Sequence, residues 1–199
     1  MIKAIIFDCG GVWSTTILRN MARDLAEKHN ADFNLLNKEI HKMWHKYRLA
    51  EISGDDFWKY FSGASGLGMS FEELNKIALS YIKIIPEIIE IIKKLKGKYK
   101  LGLISNNAEE WVERIKELVD VDSLFDAAFF SNEVKTAKPD KEIFELCLQR
   151  LGALLPEECV FIDDSDRNVA AARKMGFIAI KFENAELLKK ELAKYGVEA

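Results

Sequence analysis

Cysteine is rare in this chain. The three present, Cys9, Cys147 and Cys159, form no CxxC pair, so they read as reduced thiols of a cytosolic (cytoplasmic) protein. Proline is equally scarce, with three residues, which suits a helical chain. An excess of positive charge is missing too: 29 Lys and Arg against 32 Asp and Glu leave a net charge of −3. That mixed, mildly acidic surface argues against a nucleic-acid partner, which would need a basic face. Long apolar runs are absent. The opening "MIKAIIFD" is far too short for a signal peptide or a membrane span, and no later segment reaches membrane length. No repeat or low-complexity tail is present. What remains is 199 residues, 49% of them hydrophobic, enough for one domain with a real core, or one domain carrying an insertion.

Short apolar runs alternate with longer amphipathic ones. The short runs are 3–7, 100–104, 126–130, 159–162 and 177–182. They are continuous rather than alternating, as strands buried on both faces of a parallel sheet should be. Helical patterns lie between the later runs, at 86–97, 108–119, 140–152 and 166–176; the first opens on Pro86 and closes on Gly97. Strand alternating with helix predicts a doubly wound α/β fold with a Rossmann-like parallel sheet. The first interval breaks the rhythm. Residues 16–85 are far more than one crossover helix needs, and read as helices near 16–30, 34–49, 54–62 and 70–84. The expected division is therefore 1–15 with 86–199 as the α/β core, and 16–85 as a helical insertion after the first strand.

The residues that end each apolar run carry the chemistry. The first run ends on Asp8, the second on Ser105, Asn106 and Asn107, the third on Ser131, Asn132 and Glu133, and the fourth on Asp163 and Asp164. In an open parallel sheet these ends share one edge, where ligands bind. Any one of them alone is an ordinary polar turn residue; four together point to a site. Asp8, Asp163 and Asp164 at one edge repel one another and need a counter-charge. A hard divalent cation held by oxygen fits, and Mg2+ is the usual choice beside a phosphate. A carboxylate can also be a nucleophile that takes up a phosphoryl group. Lys138, in "TAKPDK", is placed to offset charge on both.

These residues resemble the haloacid dehalogenase superfamily. "FDCGGVW", "LISNN", "KTAKPDKEIF" and "VFIDDSDRNV" are similar to its four motifs in order, and 16–85 resembles its helical cap. The resemblance implies a Mg2+-dependent phosphatase. Asp8 would attack phosphorus and form an aspartyl-phosphate. Ser105 would hold the phosphoryl oxygens, and Lys138 would bridge nucleophile and phosphate. Asp8, Asp164, the Gly10 carbonyl and Asp163 (as ligand or as support) would serve the metal. Asn168 would steady the fourth loop. Asn106, Gly11 and Trp13 are the expected substrate contacts.

One departure stands out. Phosphatases of this kind usually carry a second Asp two residues after the nucleophile, as acid and base for the leaving group. Here that position is Gly10, as in some sugar-phosphate phosphatases. The substrate expected is a small phosphorylated metabolite, such as a sugar phosphate, whose leaving group departs with little protonation. A metal-independent 2-haloacid dehalogenase would also tolerate Gly10, and so would a degenerate domain that only binds. His41 and His45, four apart, read as an ordinary helix face. Arg48 and Lys42 are open as contacts for a second anionic group. The glycine-rich connection at 62–70 lacks the ending of a phosphate loop.

Overall fold

All five apolar runs form strands of a single parallel sheet, in the spatial order β3-β2-β1-β4-β5. The computed structural model describes residues 1–199. The strands are β1 (Ala4–Phe7), β2 (Lys100–Ser105), β3 (Ala127–Phe130), β4 (Cys159–Asp163) and β5 (Ile178–Lys181). Every residue of β1 is buried, since β1 is central and covered on both faces. Phe7 pairs in register with Leu103 of β2 and Ile162 of β4. The first residues beyond that register, Asp8, Ile104 and Asp163, therefore stand level at the carboxyl edge.

Five helices intervene between β1 and β2: α1 (Leu18–His29), α2 (Phe33–Lys42), α3 (Trp44–Tyr47), α4 (Gly54–Ser65) and α5 (Phe71–Ser80). Local chemistry starts several of them. The Asp32 carboxylate accepts from the Asn34 amide at 2.7 Å, and Ser53 caps α4 through the Asp56 amide. Ser70 and Glu73 form a reciprocal capping box on α5. The single helix expected over 34–49 is broken at Met43 into α2 and α3. The remaining helices are α6 (Pro86–Leu95), α7 (Glu109–Leu118), α8 (Val121–Leu124), α9 (Ser131–Val134), α10 (Lys141–Arg150), α11 (Asp166–Lys174) and α12 (Ala185–Ala193). The short α8 and α9, and α12 after the last strand, were not foreseen.

The two faces of the sheet bury separate apolar clusters. Ile5, Phe7, Leu101, Leu103 and Ile162 join α6, α7, α12 and the inserted helices in one. Ile6, Ile104 and Phe161 join α10 and α11 in the other. The insertion thus shares a continuous core with one face of the sheet. No helix is long and apolar enough to cross a membrane.

Candidate active site

Lys138 is the centre of the edge. Its ammonium lies 2.6 Å from Asp8 Oδ1 and 2.8 Å from Asp163 Oδ2, and donates to the Ile104 carbonyl at 2.7 Å. The residue is 1% exposed. A lysine is buried this way only when carboxylates and carbonyls replace its water. Burial alone would push the ammonium down; Asp163 and Asp8 outweigh it and hold it above the ordinary lysine value. The counter-charge demanded by three acids is thus partly internal.

Asn106 positions that lysine. Its side chain donates to the Lys138 carbonyl and accepts from the Lys138 amide, both at 2.8 Å. Asn106 also lines the cavity beside Gly10, while its side-chain amide bonds the Lys138 backbone. Helix α10 starts at Lys141, just after this segment.

Asp163 is fully buried, and both its oxygens are occupied. Oδ1 accepts from the Ser165 amide at 2.8 Å and from Asn168 Nδ2 at 3.1 Å. Oδ2 takes Asn168 Nδ2 at 3.0 Å together with Lys138. Asp164 is less buried and faces Gly11. Gly11 holds φ +85°, and a Cβ there would lie 2.3 Å from Asp164 Oδ2, so only glycine fits between the first and fourth loops. Ligand oxygens of Asp8, Asp163 and Asp164 all lie within 4.8 Å of one another, close enough to share one cation.

Asp8 is held through Oδ1 alone, by Lys138 and by the Cys9 amide at 2.6 Å. Burial, opposed by Lys138 and reinforced by Asp163 and Asp164, pushes its carboxyl up to about 7. Asp164 is raised by burial and then by Asp163. Ser105, 1% exposed, ends β2 beside them. The next strand is tied in by Ser131, whose hydroxyl accepts from the Asn107 amide at 3.0 Å and donates to the Arg48 carbonyl at 2.7 Å. Cys9 is buried 3.2 Å from the Ser14 hydroxyl, and burial pushes its thiol up to about 12.

A cavity of about 240 Å³ opens beside Gly10, Asn106 and Asn107, between the loops that follow β1 and β2 and the inserted helices. Gly10, Thr16, Arg19, His41, Trp44 and Trp111 are among its walls. Trp44 and Trp111 stack with ring centres 5.0 Å apart. Arg19 and Trp111 were missed from the sequence. Trp111 lies one turn into the helix that follows Ser105–Asn107, a position that puts it over the same edge. Trp13, expected at the substrate, is fully buried instead; it packs on Phe125 at 6.0 Å, because the chain turns inward after Gly11. Lys42 pairs with Glu39 at 3.7 Å, away from the cavity walls. His41 hydrogen-bonds the Asn37 carbonyl through Nδ1, and His45 Nδ1 accepts from Arg48.

Residues 2–176 match the family model of the haloacid dehalogenase-like hydrolases. The chain is 36% identical over 107 residues to a phosphorylated carbohydrates phosphatase of Thermotoga maritima, a stretch covering 53% of this chain and 49% of that protein. It is 24% identical to the D-ribitol-5-phosphate phosphatase of Bacteroides thetaiotaomicron, over 96% of this chain and 97% of that one. A solved HAD-like hydrolase of Porphyromonas gingivalis superposes with a TM-score of 0.78 at 24% identity, covering 100% of both chains.

Proposed function

The chain belongs to the haloacid dehalogenase-like hydrolases, and from that premise we propose that it is a Mg2+-dependent phosphatase. Its substrates are small phosphorylated metabolites, sugar phosphates with a good leaving group foremost. The observation that carries this reading is the buried Lys138 clamped between Asp8 and Asp163, with Asp164 completing a cluster that can share one cation. Phosphatases of phosphorylated carbohydrates and of D-ribitol 5-phosphate among the relatives support it.

Asp8 and Asp164, with the Gly10 carbonyl, would hold the ion. Asp163 serves best as the support of Lys138, since its oxygens are already occupied. Bound Mg2+ supplies positive charge to the phosphoryl oxygens and keeps the acids ionised together. The chain does the rest. Lys138 and the Cys9 amide fix Asp8 through Oδ1, which leaves Oδ2 free to meet phosphorus. A bond forms from Asp8 to phosphorus as the bond to the leaving oxygen breaks, and that oxygen takes its proton from water. Water then attacks phosphorus, releases inorganic phosphate and restores Asp8. Ser105 would hold the phosphoryl oxygens, and Lys138, whose ammonium is bound by Asp8, Asp163 and the Ile104 carbonyl, would offset charge on the nucleophile. We take residues 16–85 as the cap that closes over the reaction and excludes water. Gly11 brings the backbone close to both the acids and the substrate.

Phosphate release from p-nitrophenyl phosphate, with Mg2+ and with EDTA, tests this reading beside halide release from 2-chloropropionate. Release that needs Mg2+ is expected. Halide release without metal makes the protein a dehalogenase, and silence in both assays leaves a binding domain. The acid cluster beside Asp8 weighs against the dehalogenase, because it repels a carboxylate substrate in the absence of a metal.

A further inference from the structure

The chain has four tryptophans, and three of them belong to the core. Trp13 and Trp58 are fully buried, and Trp111 is 2% exposed. Trp44 alone is only half-buried, and it stands in the wall of the cavity beside Gly10. It is the first residue of α3, so the inserted helices supply it. Trp111 backs it from α7, with ring centres 5.0 Å apart and planes 21° from parallel. Tyr47 meets both rings edge-on, Trp44 at 6.0 Å and Trp111 at 5.8 Å. Tyr47 is itself fixed by Glu110 and stacks on Phe57 at 4.4 Å. The Trp44 ring is therefore held in one orientation by buried aromatics, and the surface they leave uncovered borders the cavity.

Joining the insertion to the core needs only the surface that Trp111 and Tyr47 cover. It gives no reason to leave aromatic area bordering a cavity, where contact with water is unfavourable. No carboxylate lines that cavity, and Thr16, Arg19 and His41 bring polar groups to its walls. A sugar in its ring form matches this division. The C–H bonds of one face can lie on an aromatic surface while the hydroxyls at the rim reach polar side chains. An open-chain polyol is hydrated along its whole length and presents no such face. The volume, about 240 Å³, is small for a ligand site and suits a single ring.

We propose that Trp44 is the specificity-determining residue of the leaving-group pocket. Its uncovered surface takes the apolar face of a ring, so the enzyme selects phosphate esters of cyclic sugars over those of open-chain polyols. This rests on the phosphatase reading and narrows its substrate class. Trp111 and Tyr47 act as positioning residues, which hold the Trp44 ring and do not touch the substrate.

Glucose 6-phosphate and sorbitol 6-phosphate test it as a matched pair. They share a phosphorylated primary carbon, chain length and charge, and differ in ring closure. Each is measured with Mg2+ as a competitor of p-nitrophenyl phosphate, by the release of p-nitrophenol, so the result does not depend on how fast either is hydrolysed. The inhibition constant of glucose 6-phosphate is expected to be roughly three- to tenfold lower than that of sorbitol 6-phosphate. Trp44→Leu, which keeps apolar bulk and loses the flat ring, should bring the ratio toward one. Trp44→Phe, which restores a ring, should keep most of it. A merely structural Trp44 would alter urea midpoints and leave the ratio unchanged, because the two competitors differ only in the ring. Should Trp44→Leu not fold, Trp44→Met takes its place. Equal inhibition by the two, inhibition by neither, or stronger inhibition by the polyol overturns the ring selection and leaves the phosphatase reading intact. A preference that survives the loss of the ring also overturns it. No release from p-nitrophenyl phosphate with Mg2+ overturns the phosphatase reading, and the ring selection with it.

Discussion

Gly10 has room for a side chain. A Cβ there would meet nothing within 4 Å, and its backbone is not in the left-handed region. The missing acid is therefore a property of the sequence and not a steric demand of the loop. Gly10→Asp should be accommodated, and it places a carboxyl on the cavity wall where a leaving group would sit. General acid catalysis of this kind contributes roughly a hundredfold or more. The expected result is a gain of about that size in turnover of a simple alkyl phosphate, with a much smaller change for p-nitrophenyl phosphate, whose leaving group needs little protonation. An equal change for both esters would contradict this account of Gly10. Lys138 was legible in the sequence as the cation of the "TAKPDK" loop that follows the third strand, but its burial was not. Nor was the engagement of Asn106, because a side chain that bonds a backbone 32 positions away leaves no local signal.

At the scale of elements, the strands were legible because parallel strands buried on both faces read as unbroken apolar runs, while their order in the sheet was not, since the runs do not say which neighbours pair. Helix identity was equally plain where Ser, Asp or Pro starts a helix. The break at Met43 was not, since the apolar spacing continues through it and tertiary packing decides the break. Trp13 was misplaced for a related reason: composition does not say which wall of a loop faces inward. The contact between α3 and α7 was also invisible. There the Tyr47 hydroxyl donates to Glu110 Oε2 at 2.7 Å, and burial, then Glu110, push the phenol well above its ordinary value. This bond ties the inserted helices to the core. Tyr47→Phe should lower stability by about 1.5–3 kcal/mol, the usual range for a hydrogen bond to a charged acceptor, measured as a urea midpoint. In a Glu110→Ala background the same substitution should cost much less.

For the whole molecule, the acid cluster couples folding to pH and to metal. Asp8 has a folded value of about 7, against 3.8 ordinarily. The folded state therefore binds a proton that the unfolded chain has released between those two values, and stability is lost as pH rises toward about 7. Asp8→Asn, which carries no such charge, should gain in melting temperature relative to the parent on going from pH 5 to pH 8 without metal. Added Mg2+ should favour the parent at pH 8, because the ion binds the ionised carboxylate. An Asp8→Asn difference that does not change with pH would contradict the environment described for Asp8. Asp8 is proposed to carry the phosphoryl group, and this role underlies the rest of the mechanism. It is tested most directly by acid-quenching the enzyme during turnover of p-nitrophenyl phosphate with Mg2+ and examining its peptides by mass spectrometry. The predicted result is one phosphoryl group on the peptide containing Asp8, absent with EDTA and absent in Asp8→Asn. Full turnover by Asp8→Asn, with no modified peptide in either protein, would contradict it.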